Sequence, residues 1–402
     1  MSSVLDDEWL ANRFDHLSPA LAATLHETLA RMRARGPVAW SEEHGGFWVV
    51  TGYDEVLQVA QDWETFSSAE GVNVPRSPVK VNALPEVLDP PVHREYKRLI
   101  NAWFTPKVVA HHEDATRALV SRLIDGFVDD GRCEFMAAFA TPLPGLAFFE
   151  QVLHAPADEV AALNELATVA STPGHPDRPQ AWAGMATWID AFVEGRRSGG
   201  AVGDVVDAVI AAEIEGAPIT DLDIRGVIQL LILGGLETTA GALGQFMVRF
   251  CEQPEVVEQL RARPERLGAA IEELLRLDPP FIAIARTVTR DTELGGAPLR
   301  AGQQVLLSWA SANRDEGEFA CPHRFDLDRS PNRHLSFGAG PHRCAGSNLA
   351  RMNLRIALEE LLARLDGFEL EAGSAPVTYH SVLNRSPVAV PITFRRRSEV
   401  VR

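Results

Sequence analysis

Apolar residues recur every three to four positions along most of this chain, which is the spacing of an amphipathic helix. Proline and glycine interrupt the pattern at points where helices are expected to end. The pattern predicts helices over residues 20–35, 93–103, 113–128, 156–170, 181–194, 205–215, 220–253, 254–262, 264–277 and 345–365. Helices therefore account for most of the expected secondary structure.

Strand patterns are few and short. Residues 47–51 are rich in aromatic and β-branched side chains and, with 38–40, predict a hairpin. Further strands are predicted at 287–294, 304–308 and 388–394. The predicted fold class is therefore mainly α with small β-sheets. The Pro/Gly-rich stretches 173–179 and 197–203 are short enough to be loops, and the sequence contains no internal repeat, so we expect residues 1–402 to form a single domain.

The net charge of −17, without a basic tail or stripe, argues against binding of nucleic acid or of an acidic membrane surface. The most apolar stretch, 227–236, is about ten residues long, whereas a bilayer span needs about 20. Asp6, Asp7 and Glu8 stand at the N-terminus in place of an apolar signal segment. Four cysteines without a C-x-x-C pair fit a reducing compartment. We therefore expect a cytoplasmic protein that does not bind membranes.

The sequence around Cys344 is the most specific chemical signal in the chain. Glycines at positions 338, 340 and 346 predict a tight loop that can approach a flat ligand closely, and a predicted helix follows at once. A thiolate at a helix N-terminus is stabilised by the helix dipole and by unpaired backbone N–H groups. Such a cysteine is suited to be the single axial thiolate of a haem iron. The other three cysteines fit small buried side chains, and a structural zinc site would need four ligands at short spacings.

The longest predicted helix carries two adjacent glycines followed by an acid and an alcohol, Glu237 and Thr238. Each glycine in a helix interior costs about 1 kcal/mol relative to alanine. The Thr238 hydroxyl can bond back to the carbonyl of Gly234, and the missing side chains would let a flat cofactor or a small gas approach the backbone. The same residues are equally consistent with a buried helix in which the glycines allow close packing and the glutamate lies on the surface.

Glu273 and Arg276 lie three positions apart on one face of a predicted helix. Taken alone, the spacing is typical of a solvated surface pair.

The segment from Phe337 to Gly346 resembles the haem-binding loop of the cytochrome P-450 family, F-G-x-G-x-H-x-C-x-G, and matches it at every fixed position. The resemblance extends over roughly residues 10 to 395, because three further motifs of the family occur elsewhere in the chain, in the same order as in the family. It implies the cytochrome P-450 fold with a long central helix over haem b, iron ligation by Cys344, and insertion of one oxygen atom from O₂ into an organic substrate.

The resemblance also implies roles for individual residues. It makes Glu237 and Thr238 catalytic, as a proton relay and as a hydrogen-bond donor to dioxygen, with Gly234 in the oxygen groove. It places in the cofactor site His93, Lys97, Arg286, Phe337 and His342. Lys97 stands where the family usually has arginine, so Arg98 is an alternative; His93 and Lys97 also fit solvated helix residues.

Structural and substrate-contacting residues follow in the same way. A buried ion-pair network is implied for Glu273, Arg276 and Arg329. The expected substrate pocket comprises Leu230, Leu233, Phe281, Ile282, Ile284 and Val382. These side chains are mainly aliphatic, so a small, largely apolar molecule is the expected substrate, oxidised by hydroxylation, epoxidation or O-dealkylation.

The chain has no room for a reductase domain. The glycines at 338 and 340 do not continue into a dinucleotide motif, because Arg343 occupies the third glycine position. The resemblance implies a separate ferredoxin or flavodoxin with its reductase, electrons ultimately from NAD(P)H, and a monomeric enzyme. The docking surface is expected to be basic, with candidates at Arg94, Arg98, Lys107, Arg333, Arg343 and Arg351.

Two alternatives remain at this point. The fold could serve a peroxygenase or an oxidative coupling without oxygen insertion, although a peroxide-driven site does not need the Glu237–Thr238 pair. A haem-binding sensor or carrier would keep Cys344 and would not need that pair either.

Overall fold

The structure is a computed structural model that describes residues 12–22, 24–77, 82–172, 175–375, 377–379 and 383–397. Helices dominate it. In chain order they are α1 (Leu25–Arg35), α2 (Tyr53–Gln61), α3 (Val92–Asn101), α4 (Pro106–Ala110), α5 (Glu113–Asp125), α6 (Pro142–Phe148), α7 (Val160–Ser171), α8 (Arg178–Gly199), α9 (Val205–Ile210), α10 (Asp221–Glu252), α11 (Pro254–Ala262), α12 (Leu267–Leu277), α13 (Trp309–Ala312) and α14 (Ser347–Arg364).

The strands form small sheets. They are β1 (Val38–Ser41), β2 (Phe47–Val50), β3 (Phe66–Ser67), β4 (Arg132–Glu134), β5 (Glu213–Ile214), β6 (Ala217–Pro218), β7 (Ala283–Val288), β8 (Thr292–Leu294), β9 (Ala297–Leu299), β10 (Gln304–Ser308), β11 (Leu365–Leu370) and β12 (Pro391–Arg396). A five-stranded mixed sheet has the order β1-β2-β10-β7-β3, and a three-stranded sheet the order β11-β12-β4. The predicted fold class, mainly α with small β-sheets, is confirmed.

The central element is α10, a helix of 32 residues. Its first turn is fixed by a capping box in which Thr220 and Asp223 satisfy each other's backbone N–H groups. Apolar residues occupy most of its circumference, as expected for a helix surrounded by protein. The main hydrophobic cluster packs around it and includes side chains of α3 to α12 and of α14.

Two helical segments, Met136–Leu153 and Asp221–Glu252, have the length and apolar composition of a membrane span. Most of each segment is buried inside the protein, so both pack as core helices of this fold. The second of them is α10.

Several sequence predictions are confirmed and two need correction. The hairpin of β1 and β2 forms with Val38 opposite Val50, and α11 has the predicted bounds. The helix predicted over 205–215 ends at Ile210, because Glu215 and Gly216 adopt positive φ and turn the chain into the β5–β6 hairpin. The strand predicted over 287–294 is divided into β7 and β8, which belong to different sheets.

Candidate active site

Cys344 lies in a loop that folds back on itself before α14. The backbone N–H of Cys344 donates to the carbonyl of Phe337 at 2.8 Å, which closes the loop. Gly338 and Gly340 adopt φ values of 68° and 66°, in the left-handed region that favours glycine. A side chain at position 340 would also collide with the backbone carbonyl of Ala60. The conformation of the loop therefore requires glycine at these positions.

The sulfur of Cys344 lies at the N-terminal end of α14. Gly346 precedes the helix, and its backbone N–H hydrogen-bonds the sulfur. Burial raises the pKa of the Cys344 thiol, while Lys97, this N–H group, Arg351 and Arg343 oppose the rise. Cys344 keeps accessible surface although protein surrounds it closely, because it faces an internal cavity. A coordinated metal cation would complete the deprotonation.

The cavity has a volume of about 320 Å³ and lies between the cysteine loop and α10. Phe337 and Cys344 line it from the loop, and Gly234 and Thr238 line it from the helix. The structure thus brings the two most informative sequence motifs, which are about a hundred positions apart, to one enclosed space.

The adjacent glycines of α10 have different surroundings. A Cβ added to Gly234 would meet nothing within 4 Å, whereas one added to Gly235 would approach the ring of Phe148 to 2.9 Å. The Thr238 hydroxyl donates to the carbonyl of Gly234 at 3.1 Å, as the spacing predicts. Gly234 therefore keeps the cavity wall open, and Gly235 allows α6 to pack closely against α10.

Glu237 is held by a residue far away in the sequence. Asn384 Nδ2 donates to Glu237 Oε2 at 2.6 Å, across 147 positions of the chain. Asn384 in turn forms a β-bridge with Phe281, which lines the cavity. Sequence reasoning missed Asn384, because no local pattern relates a residue of the C-terminal loop to the middle of a helix.

Cationic and imidazole groups collect on the cavity wall. Arg286, Lys97, His93 and His342 all line it. The centroids of the His93 and His342 imidazole rings lie 4.3 Å apart. Both ring nitrogens of the buried His93 lack a hydrogen-bond partner. Lys97 Nζ donates to the carbonyl of Arg343 at 2.7 Å, directly beside Cys344.

Burial is the largest influence on the pKa values of these groups. Burial lowers the pKa of Arg286 to about 10 and also lowers the pKa of Lys97. Burial, reinforced by nearby cations, lowers the pKa of His93 to about 4 and that of His342 to about 2. Glu86, which sequence reasoning did not single out, also lines the cavity, and burial raises the pKa of its carboxyl group. Partly dehydrated cations of this kind are stabilised by a bound anion.

The residues present therefore fit haem. A thiol at a helix N-terminus could ligate the iron, and an enclosed space separates it from α10. For the two propionate groups the wall offers the cations Lys97 and Arg286 and the unpartnered ring nitrogens of His93. Lys97 lines this cavity, whereas Arg98 is exposed and does not.

Glu273 and Arg276 form a buried ion pair on α12. Arg276 donates twice to the Glu273 carboxylate at 2.8 Å, and the two side chains are 1% and 0% exposed. Arg329 Nε donates to the same carboxylate at 3.0 Å, and Asn332 Nδ2 adds a contact at 3.2 Å. The interpretation as a solvated surface pair is excluded by this burial, and the pair joins α12 to the segment before the cysteine loop.

The expected substrate-contacting residues do not all line the cavity. Those that do are Leu230, Phe281 and Ile284. Leu233 packs against the main hydrophobic cluster. Ile282 lies in a second cluster together with side chains of α1. Val382 falls outside the described residues.

Comparison with known proteins identifies the family. The family model described as cytochrome P450 matches residues 151–389. Linalool 8-monooxygenase of Pseudomonas putida is 31% identical over 86% of this chain and 90% of the relative. Steroid C26-monooxygenase of Mycobacterium tuberculosis (strain ATCC 25618 / H37Rv) is 32% identical over 89% of this chain and 91% of the relative. The crystal structure of HmtN, a post-tailoring hydroxylase of himastatin biosynthesis, superposes with a TM-score of 0.81 at 31% identity, covering 92% of this chain and 96% of the other.

The chain belongs to the cytochrome P450 family. It is a monooxygenase, an oxidoreductase that uses haem and O₂, and bacterial relatives of this kind receive electrons from redox partners.

Proposed function

We propose that this protein inserts one oxygen atom from O₂ into a small, largely apolar organic molecule, by hydroxylation, epoxidation or O-dealkylation. Electrons come ultimately from NAD(P)H through a separate ferredoxin or flavodoxin and its reductase. One observation carries the proposal: Cys344, Gly234 and Thr238 line the same enclosed cavity, beside an apolar wall.

Haem, held by the Cys344 thiolate, supplies the iron and the redox chemistry that activates O₂. The rest is the work of the chain itself. Gly234 leaves space for a small gas beside α10. The Thr238 hydroxyl lies at this opening and can donate or accept a hydrogen bond. Glu237 supplies protons through water, and Asn384 fixes the direction of its carboxylate.

The substrate class follows from the cavity wall. Leu230, Phe281, Ile284 and Phe148 present apolar surface to it, and sites with this lining bind apolar molecules that a few polar groups orient. The names of two relatives, which refer to linalool and to a steroid, agree with a small and largely apolar substrate.

The docking surface for the electron carrier is proposed at an exposed groove next to the cysteine loop. This groove, of about 480 Å³, is lined by Arg94, Lys97 and Arg98 of α3 and by Pro341 of the loop. Its positive charge contrasts with the net charge of −17. Opposite charges accelerate the encounter of proteins, so an acidic carrier suits this surface.

Two other basic residues suggested by the sequence are engaged within the chain. Arg351 donates to Glu272 at 2.7 Å, and Arg333 donates to Glu318 at 2.8 Å. They are therefore left out of the proposed docking surface.

We further propose that residues 1–402 act as one domain, as a monomer, in the cytoplasm and without membrane attachment. The strongly acidic composition and the four free cysteines support this location.

The test combines binding with turnover. The haem-loaded protein is reduced under carbon monoxide, and replacement of Cys344 by serine should abolish the thiolate-type spectrum. Compounds that change the haem spin state are then supplied with NADH, a ferredoxin and its reductase under ¹⁸O₂. One labelled oxygen atom per product molecule is expected. Product formed equally well with peroxide alone would favour a peroxygenase, and binding without any product would favour a sensor or carrier.

A further inference from the structure

Three metal-ligating side chains meet beside the turn between β1 and β2, away from the cavity described above. Asp15, His16 and His44 each offer one ligand atom, and these atoms all lie within 4.8 Å of one another. Asp15 and His16 belong to the segment before α1, whereas His44 belongs to the hairpin turn. The oxygenation chemistry uses none of the three.

His16 distinguishes this cluster from an ordinary surface ion pair. The residue is 1% exposed, and its Nδ1 atom has no hydrogen-bond partner. Its other ring nitrogen, Nε2, lies 2.9 Å from the carbonyl of Val74. A proton on Nε2, donated to that carbonyl, leaves a lone pair on Nδ1. Metal-ligating histidines have this arrangement, in which a carbonyl orients the ring through the second nitrogen. A buried nitrogen without a partner also costs free energy that a ligand would recover.

The other two ligands are already in place. His44 Nε2 lies 2.7 Å from Asp15 Oδ1, and the same oxygen accepts a hydrogen bond from the backbone N–H of Leu17 at 2.9 Å. The rings of His16 and His44 meet edge to face at 5.5 Å. A divalent cation would replace the proton between His44 and Asp15 and widen their separation to about 3.3 Å, the ligand spacing of a tetrahedral site with bonds of about 2.0 Å.

We propose that Asp15, His16 and His44 bind one Zn²⁺ ion, with water as the fourth ligand. Two imidazoles and one carboxylate are a ligand set that zinc accepts. The ion fastens the segment before α1 to the hairpin turn, close to the end of β1, where Ser41 already donates to the carbonyl of Phe14 at 2.7 Å. The hydrogen bond from His16 extends this attachment to the loop after β3. The zinc therefore connects these segments of the chain through three protein ligands, and water completes its coordination.

The experiment measures zinc on the tag-free, haem-loaded protein by equilibrium dialysis and elemental analysis. One zinc ion per chain is expected, with nitrogen and oxygen neighbours at about 2.0 Å in zinc-edge X-ray absorption. His44→Asn removes the imidazole, and asparagine tolerates the φ of 54° at this position. Asp15→Asn keeps the acceptor for the Leu17 N–H. Each substitution should weaken zinc binding by at least about tenfold, since loss of even an outer-sphere partner costs about 10- to 100-fold.

The matched control is His111→Asn, which alters an exposed histidine next to His112, outside the proposed site. It should leave zinc affinity unchanged. Saturating zinc should raise the unfolding temperature of the wild type and of the control but not that of His44→Asn. Equal zinc affinity of the control and both site variants would overturn the proposal, and so would a sulfur neighbour at about 2.3 Å, which would assign the ion to a cysteine. These readouts do not depend on product formation, so they are independent of the proposed oxygenase function.

Discussion

Asn384 donates a hydrogen bond of 2.6 Å to Glu237, and this contact connects the C-terminal loop to the middle of α10. The next residue of the helix, Thr238, is fixed by its own bond to the carbonyl of Gly234 at 3.1 Å. The acid and the alcohol are therefore both oriented before any substrate enters. Phe281, the β-bridge partner of Asn384, lines the cavity, so Asn384 supports both the cavity wall and the Glu237 carboxylate.

Glu237→Gln should slow product formation by about 100-fold, because general acid–base groups contribute about 10²- to 10⁴-fold. Asn384→Ala should slow it by about tenfold, since one hydrogen bond to a charged group is lost and the carboxylate itself remains. Product formation with NADH and its solvent deuterium isotope effect are measured for both variants. If Asn384 had only a structural role, Asn384→Ala would lower the protein yield and leave the isotope effect unchanged. That result would contradict this prediction.

Thr238→Ala should uncouple NADH consumption from product formation, with most of the reducing equivalents released as peroxide. The hydroxyl is removed at the point where Gly234 leaves the cavity wall open. Thr238→Ser keeps the hydroxyl and serves as the control. The ratio of product to NADH consumed is the measurement. An alanine variant as well coupled as the serine variant would exclude the assigned role.

Arg276→Ala should lower the free energy of unfolding by about 3–5 kcal/mol, because it leaves the fully buried Glu273 carboxylate with reduced compensation. The control is Arg300→Ala, whose partner Asp291 is exposed and where little change is expected. Urea denaturation with haem retention as a second signal compares the two variants. Similar stabilities would show that the Arg276 network is no more important than a surface pair.

The stability of the protein should depend on Glu272 at acid pH. Burial alone would raise the pKa of this carboxyl, but hydrogen bonds from Arg351 and His334 outweigh it and lower the pKa to about 2. Since the folded pKa lies below the unfolded value of 4.5, the carboxylate stabilises the fold above about pH 4.5, and this contribution is lost as the pH falls toward 2.

Glu272→Gln should therefore be less stable than the wild type at pH 7, and the difference should shrink as the pH falls below about 4.5. Urea midpoints measured across this range provide the check. A difference that stays constant with pH would mean that the ionisation of Glu272 does not contribute.

Arg98→Glu should raise the ferredoxin concentration needed for half-maximal turnover by about tenfold at low salt, and the effect should diminish as salt screens the charges. The carbon monoxide spectrum should not change, because Arg98 lies on the exposed groove. Arg122→Glu makes the same charge change at an exposed position of α5 outside the groove. If both variants respond alike, the effect belongs to net charge and the groove is not the docking surface.

The sequence by itself determined the features that depend on neighbouring residues. The cysteine loop can be recognised from the sequence because its positive φ values at positions 338 and 340 require glycine, and glycine stands at both. The start of α10 can be recognised from the sequence because Thr220 and Asp223, three positions apart, cap the helix. The back-bond of Thr238 follows from helical spacing alone. Local backbone preferences act over a few residues, so a few residues suffice to recognise them.

Tertiary structure decided what depends on burial and on contacts between distant segments. The spacing of Glu273 and Arg276 predicts that the two side chains can pair, but it does not predict that the pair is buried. Nothing local in the sequence connects Asn384 with Glu237, or His44 with Asp15 and His16. Which side chains near β7 face the cavity, Ile284 but not Ile282, was set by how the sheet packs. The strength of these polar contacts comes from their removal from water, and the packing of the whole chain produces that removal.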